Sequence, residues 1–234
     1  MFYFKIILFI FLLVDRPVYG SVSKQDFEVL KKDFLSFIVP FAQKVKPEFE
    51  QEIIVLENQR GFGAFSGHPM RIFQGVLDSK PMTIDALAMV LCHEIGHDLK
   101  IARFYTPNEL SYAFEHLEQD YFAAYACFRP LVKSSKLLKS LMLTPSQLNE
   151  IPLSIQDQCA KNFPQADAEI CLRSIHAGWR SMQGLYQDYL FDAYENIWGL
   201  PAPSMERAWL GGYDSIQARI LNFINASLNE KPLI

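Results

Sequence analysis

The pentad His93-Glu94-Ile95-Gly96-His97 constrains the folding of this chain more than anything else in its 234 residues. Two histidines four apart share a face on a helix, where side chains i and i+4 stack on successive turns. The flanking residues agree with a helix. Thr83 is a capping residue and Asp85 puts negative charge in the first turn, while Ile84, Leu87, Ala88, Leu91 and Ile95 recur at helical spacing. Such a helix presents both imidazoles to one point and sets Glu94 one residue on from the first. Two histidines and a carboxylate so placed are the ligand pair and general base of a zinc hydrolase, in which the metal lowers the pKa of a bound water to about 7.

A catalytic zinc takes three protein ligands and keeps a fourth position open. The next helix starts at Thr106-Pro107-Asn108-Glu109, a capping box with proline at its first position. It is expected to run to about Arg129, with Pro130 ending it. It carries Glu115-His116-Leu117-Glu118-Gln119-Asp120-Tyr121-Phe122-Ala123-Ala124. With this helix after the pentad, the sequence resembles the zinc metallopeptidases that include the CaaX prenyl endopeptidases, the HtpX-type heat-shock proteases and their exported bacterial relatives. In that family the second helix bears Glu-x-x-x-Asp: the Glu is the third ligand, and the Asp supports a ligand histidine.

The resemblance implies a zincin-like fold, one zinc ion and endopeptidase activity. Asp120 matches the family Asp. Four residues earlier stands His116, not Glu; histidine is competent as a zinc ligand, so His116 is the candidate third ligand. Glu115, one residue out of register and about 100° round the helix, is the alternative. Glu118 points away from the face that His116 and Asp120 share. The family also carries a His-Pro pair with an Arg six residues after the His. Here Tyr213-Asp214 stand at the pair, and Arg219-Ile220 keep the distance. Tyr213 is then either a hydrogen-bond donor to a developing oxyanion or a packing residue. Arg219 is expected in a buried ion pair. Arg71 to Leu77 reads as a strand before the motif helix. In zinc peptidases of this architecture an edge strand beside the metal pairs with extended substrate, so Phe73 and Gly75 either lie on such an edge or belong to an ordinary strand. His68 and His176 are left out of the metal site.

The remaining pattern is mostly helical. Ser23 to about Val45 has helical spacing, with Pro40 as a kink or stop. Glu52 to Leu56 is a short strand, and Gly61 to Gly67 a loop or irregular strand. Thr144-Pro145-Ser146-Gln147 begins a shorter helix. Further helices are expected over Ala166 to Tyr194 and Asp214 to Leu228, with Leu200-Pro201-Ala202-Pro203 as a loop. The fold class is α+β: one predominantly helical domain over residues 21–234, with a small sheet near its N-terminal part. No inhibitory propeptide is evident, although the helix from Ser23 could cover the cleft.

Met1 to Val14 is almost wholly apolar, and Val18-Tyr19-Gly20 forms a cleavage pattern before Ser21. Residues 1–20 therefore read as a signal peptide, with an uncleaved membrane anchor as the alternative; the apolar run is short of the roughly 20 residues of a spanning helix. The chain is expected to be exported, periplasmic or extracellular, and membrane-bound only if the leader stays. Of the four cysteines, Cys159 and Cys171 are close enough in sequence to suggest a pair; Cys92 and Cys127 are a second pair or buried thiols. Apolar residues make up 50%, which excludes global disorder, and 22 Lys+Arg against 26 Asp+Glu excludes a dedicated nucleic-acid binder. Two functions fit: an exported zinc endopeptidase acting on protein or peptide, or a weak or inactive pseudo-peptidase serving as an envelope binding or chaperone-like module. Oligomeric state is left open.

Overall fold

A computed structural model describes residues 22–100, 112–185 and 213–228. The expected leader, the expected capping box at Thr106–Glu109, the helix expected past Leu185 to Tyr194 and the expected Leu200–Pro203 loop lie outside the described residues.

Helix α1, Lys24–Gln43, starts at Ser23, whose Oγ accepts the Asp26 amide at 3.0 Å. Phe27, Leu30, Phe34, Ile38 and Ala42 form its buried stripe. That stripe belongs to the central core. Pro40 falls in the last turn and does not end the helix.

Three short strands follow: β1 (Ile53–Leu56), β2 (Ala64–Phe65) and β3 (Met70–Phe73). Their order is β1-β3-β2. β1 runs parallel to β3, with Ile53 opposite Met70, and β2 runs antiparallel to it, with Ala64 opposite Ile72. This corrects the expectation for Phe73 and Gly75. The strand ends at Phe73 and gives way to α2, Gln74–Asp78, so Gly75 is helical. β3 is the central strand, not an edge. The Phe73 amide is held by the Gly63 carbonyl at 2.9 Å and the Gly75 amide by the Gln59 carbonyl at 3.1 Å, so neither can pair with a substrate. Gly75 is glycine because a Cβ there would run into the Arg60 and Gly61 carbonyls.

Helix α3, Ile84–Asp98, is capped by Thr83, whose Oγ1 accepts the Ala86 amide at 3.1 Å. It is the central helix, with Ala86, Leu87, Ala88, Met89, Leu91 and Ile95 all fully buried. Helix α4, Tyr112–Phe122, passes through a π-helical turn, Ala123–Phe128, into α5, Arg129–Ser134. Pro130 therefore does not stop the helix. It stands in the first turn after the wider π turn, where the ladder is already altered and a missing amide costs least.

Helices α6 (Lys136–Ser140), α7 (Pro145–Leu148), α8 (Leu153–Asn162), α9 (Gln165–Leu185) and α10 (Tyr213–Ser227) complete the fold. Thr144 and Gln147 form a reciprocal capping box on α7. Arg173 of α9 donates to both oxygens of Asp85 at 2.9 and 2.7 Å, which anchors the start of α3. All four cysteines are paired: Cys92–Cys127 joins α3 to the π turn, and Cys159–Cys171 joins α8 to α9. The result is a mostly helical α+β single domain with a three-stranded sheet near its N-terminal part.

Candidate metal centre

Helices α3 and α4 pack closely at Gly96, where a Cβ would collide with the Gln119 side chain. That crossing brings three histidines together. His93 Nε2 lies 3.1 Å from His97 Nε2 and 3.0 Å from His116 Nδ1. The His93 and His116 rings are parallel to within 5°, and the His97 ring stands at 77° and 82° to them. One nitrogen from each of the three lies within 4.8 Å of the others. A tetrahedral zinc with bonds of about 2.0–2.1 Å separates its ligand atoms by about 3.3 Å, close to the two shorter spacings. Burial pushes the His93 pKa down to about 4, against the pull of Asp120. Burial, and then the charge of Arg219, pushes His116 down to about 2. Both are neutral at pH 7, the form that offers a lone pair to a metal.

Behind His93 stands Asp120, with Oδ1 2.7 Å from His93 Nδ1. A carboxylate there puts the imidazole proton on Nδ1 and turns the Nε2 lone pair toward the other two histidines. Arg219 of α10 donates Nε to Asp120 Oδ2 at 2.6 Å and Nη2 to Oδ1 at 2.9 Å. Burial alone would raise the Asp120 pKa; Arg219 and then His93 outweigh it and hold the carboxyl at about 2. The group is thus three imidazoles, two of them held neutral by burial, backed by one fixed negative charge and one fixed positive charge. The ring nitrogens fit a divalent metal ion of intermediate softness.

Glu94 is 8% exposed, and burial pushes its pKa up to about 7 against a hydrogen bond from the Ser66 amide. One turn on, burial raises Asp98, which accepts from the Gly67 amide and from Gln51 Nε2 at 2.8 Å. Consecutive amides of the β2–β3 turn therefore clip onto two carboxylates of α3. Gly67 has φ +120°, a conformation that L side chains rarely adopt. A cavity of about 490 Å³ opens beside His97 and Asp98, lined also by Lys46, Gln51, Gly67 and His68.

Sequence reasoning missed this clip. Its one visible sign was the glycine-rich stretch Gly61–Gly67. It also left out His68, which lines the cavity because the turn folds back over α3. His176 is buried on α9 with Glu150 and Arg180, apart from the three-histidine group. Glu118 is buried and is not a member of the group. Glu115 lies in α4 and Tyr213 is the first residue of α10, but their side chains lie outside the described residues.

Fold and site together define a mostly helical α+β domain with a buried three-histidine group able to bind a metal ion. Comparison of the chain with protein-family models, with curated proteins and with solved structures finds no match.

Proposed function

We propose that the chain is an exported zinc-dependent endopeptidase, akin to the CaaX prenyl endopeptidases and HtpX-type proteases but with histidine in place of glutamate as third ligand. The observation that carries this is the convergence of His93, His97 and His116 beside a buried Glu94. Zinc, when bound, would supply Lewis acidity and a water acidified to a pKa near 7. The chain's own residues do the rest. Glu94 takes a proton from the attacking water and returns it to the leaving amine, and its pKa of about 7 suits both transfers at neutral pH. The Ser66 amide fixes the carboxylate that does this. Asp120 and Arg219 keep the His93 lone pair aimed at the centre. Tyr213 is the candidate donor to the oxyanion that develops on the scissile carbonyl. An extended peptide backbone would run along β2, the end strand of the sheet, whose following Ser66 touches Glu94.

Export rests on the leader and on the two disulfides, which fit an oxidising compartment. Among the described residues no helix is long and apolar enough to cross a membrane. Glu94→Gln is expected to retain one zinc and to lower kcat on a peptide substrate by about 10²- to 10⁴-fold. Hydrolysis left intact in that variant would refute the mechanism. The pseudo-peptidase reading is favoured by the two departures from the family pattern, His116 and Tyr213. Peptide capture by the wild type without turnover would support it.

A further inference from the structure

The Cys92–Cys127 disulfide occupies a particular place relative to the metal centre. Cys92 is the residue before His93, and both sulfurs belong to fully buried residues. Cys127 stands in the π turn, about two helical turns beyond Asp120. The bond closes a ring across a sequence separation of 35 residues. Inside that ring lie His93, Glu94, His97, His116 and Asp120; of the residues built into the centre, Arg219 comes from outside it. The other disulfide, Cys159–Cys171, spans a separation of 12 and encloses none of them.

We propose that Cys92 and Cys127 are positioning residues of the metal site, and that joining them is the step that makes the three-histidine group competent to hold its ion. The proposal rests on the metal-site reading and goes beyond it by making the site dependent on thiol oxidation. Two ligands lie on α3 and the third on α4, and the chain between the helices is the only other covalent link. A cross-link one residue from His93 fixes the α3–α4 crossing before the ion arrives. Less conformational freedom is then lost on binding, the general advantage of a preorganised site. In the oxidation the two thiols lose two electrons and two protons by thiol–disulfide exchange with a disulfide-bearing oxidant, which leaves as its dithiol. A newly made chain with both thiols reduced holds zinc weakly; the site matures only where such an oxidant is present.

The test compares zinc affinity, by competition with a chromophoric chelator, in wild type, in Cys92→Ala/Cys127→Ala and in Cys159→Ala/Cys171→Ala. Loss of the first disulfide is expected to weaken zinc binding about ten- to a hundredfold, the range seen when support behind metal ligands is removed. Loss of the second is expected to leave affinity within about twofold while lowering stability, since a disulfide that encloses none of the ligands acts on the unfolded chain. Equal zinc affinity in wild type and the first variant overturns the proposal; a wild type that binds no zinc removes the metal site itself. A second measurement covers the case in which the first variant does not fold. Wild-type protein is equilibrated in glutathione redox buffers with and without zinc, and Cys92–Cys127 oxidation is read by thiol trapping and mass spectrometry. Linkage requires zinc to favour this disulfide by the same factor by which the disulfide favours zinc. A zinc-independent equilibrium overturns the proposal equally.

Discussion

His93 and His176 invite comparison, because each is a buried histidine on a helix with a carboxylate in reach. His93 has Asp120 at 2.7 Å and Arg219 behind it; His176 has Glu150 at 3.1 Å and Arg180 beside it. The difference lies at the other ring nitrogen. Asp120 takes His93 Nδ1 and leaves Nε2 facing two more imidazoles. At His176 a single nitrogen, Nε2, is shared by the Glu150 carboxylate and the Arg180 guanidinium, whose Nε lies 3.4 Å away. A guanidinium so close repels a metal cation, and the carboxylate is spent on it. Imidazole, carboxylate and guanidinium therefore make a group able to bind a metal ion in one place and a structural polar cluster in the other. The arginine stands behind the carboxylate in the first and beside the imidazole in the second.

Substituting the two carboxylates should separate the clusters most strongly. Asp120→Asn leaves Arg219 buried against a neutral partner, which is expected to cost about 3–5 kcal/mol of stability. It also frees the His93 tautomer, which should weaken zinc binding about ten- to a hundredfold. Glu150→Gln, at a side chain 26% exposed but paired with the buried Arg180, should cost less, about 1–3 kcal/mol, and leave zinc affinity unchanged. Denaturant melts and a chelator titration on both variants would show whether the split is real. Loss of zinc affinity in Glu150→Gln would erase the distinction.

A smaller effect sharpens the account of Glu94. Its pKa is raised from 4.5 when unfolded to about 7 when folded. Below pH 4.5 both states carry the proton and the group is neutral for stability. Between 4.5 and 7 the unfolded chain loses its proton first, so stability falls as pH rises, and above 7 the buried carboxylate costs its full amount. Glu94→Gln should therefore stabilise the metal-free protein by about 3 kcal/mol at pH 8 and leave it unchanged below pH 4.5. Thermal melts across this range check the sign; a variant less stable than wild type at pH 8 would contradict the burial assigned to Glu94.

The smallest effect belongs to the clip. Gly67→Ala forces an L side chain to φ +120°, where no neighbour crowds the added Cβ, so backbone strain alone sets the cost at about 1–2 kcal/mol. Faster hydrogen exchange at the Ser66 amide, with zinc affinity kept, is the expected signature. Unchanged exchange would mean that the turn does not depend on this glycine.

What was legible in the sequence follows from the range of each interaction. The α3 helix and the pairing of His93 with His97 depend on residues one turn apart, as do the Thr83 and Thr144 caps, and all are written locally. Cys159–Cys171 is nearly local as well. Asp120 and Arg219 lie 99 residues apart, and only a family pattern named them in advance. The position of β3 was misjudged because strand order is set by pairing between separate segments: Arg71 to Phe73 has the same alternation at a sheet's centre as at its edge. The π turn escaped because Pro130 looks like a stop whether or not the preceding ladder has already widened. The Ser66–Gly67 clip acts through backbone amides, which leave no trace in side-chain chemistry.

The proposed function requires His93, His97 and His116 together to hold one zinc ion. The most direct measurement is zinc stoichiometry and affinity of the purified protein, wild type beside His116→Ala and His176→Ala. One tightly bound zinc in wild type and in His176→Ala, with affinity at least about a hundredfold weaker in His116→Ala, is the predicted result, since loss of a ligand should exceed loss of its support. No zinc in the wild type, or equal affinity in His116→Ala, would contradict it.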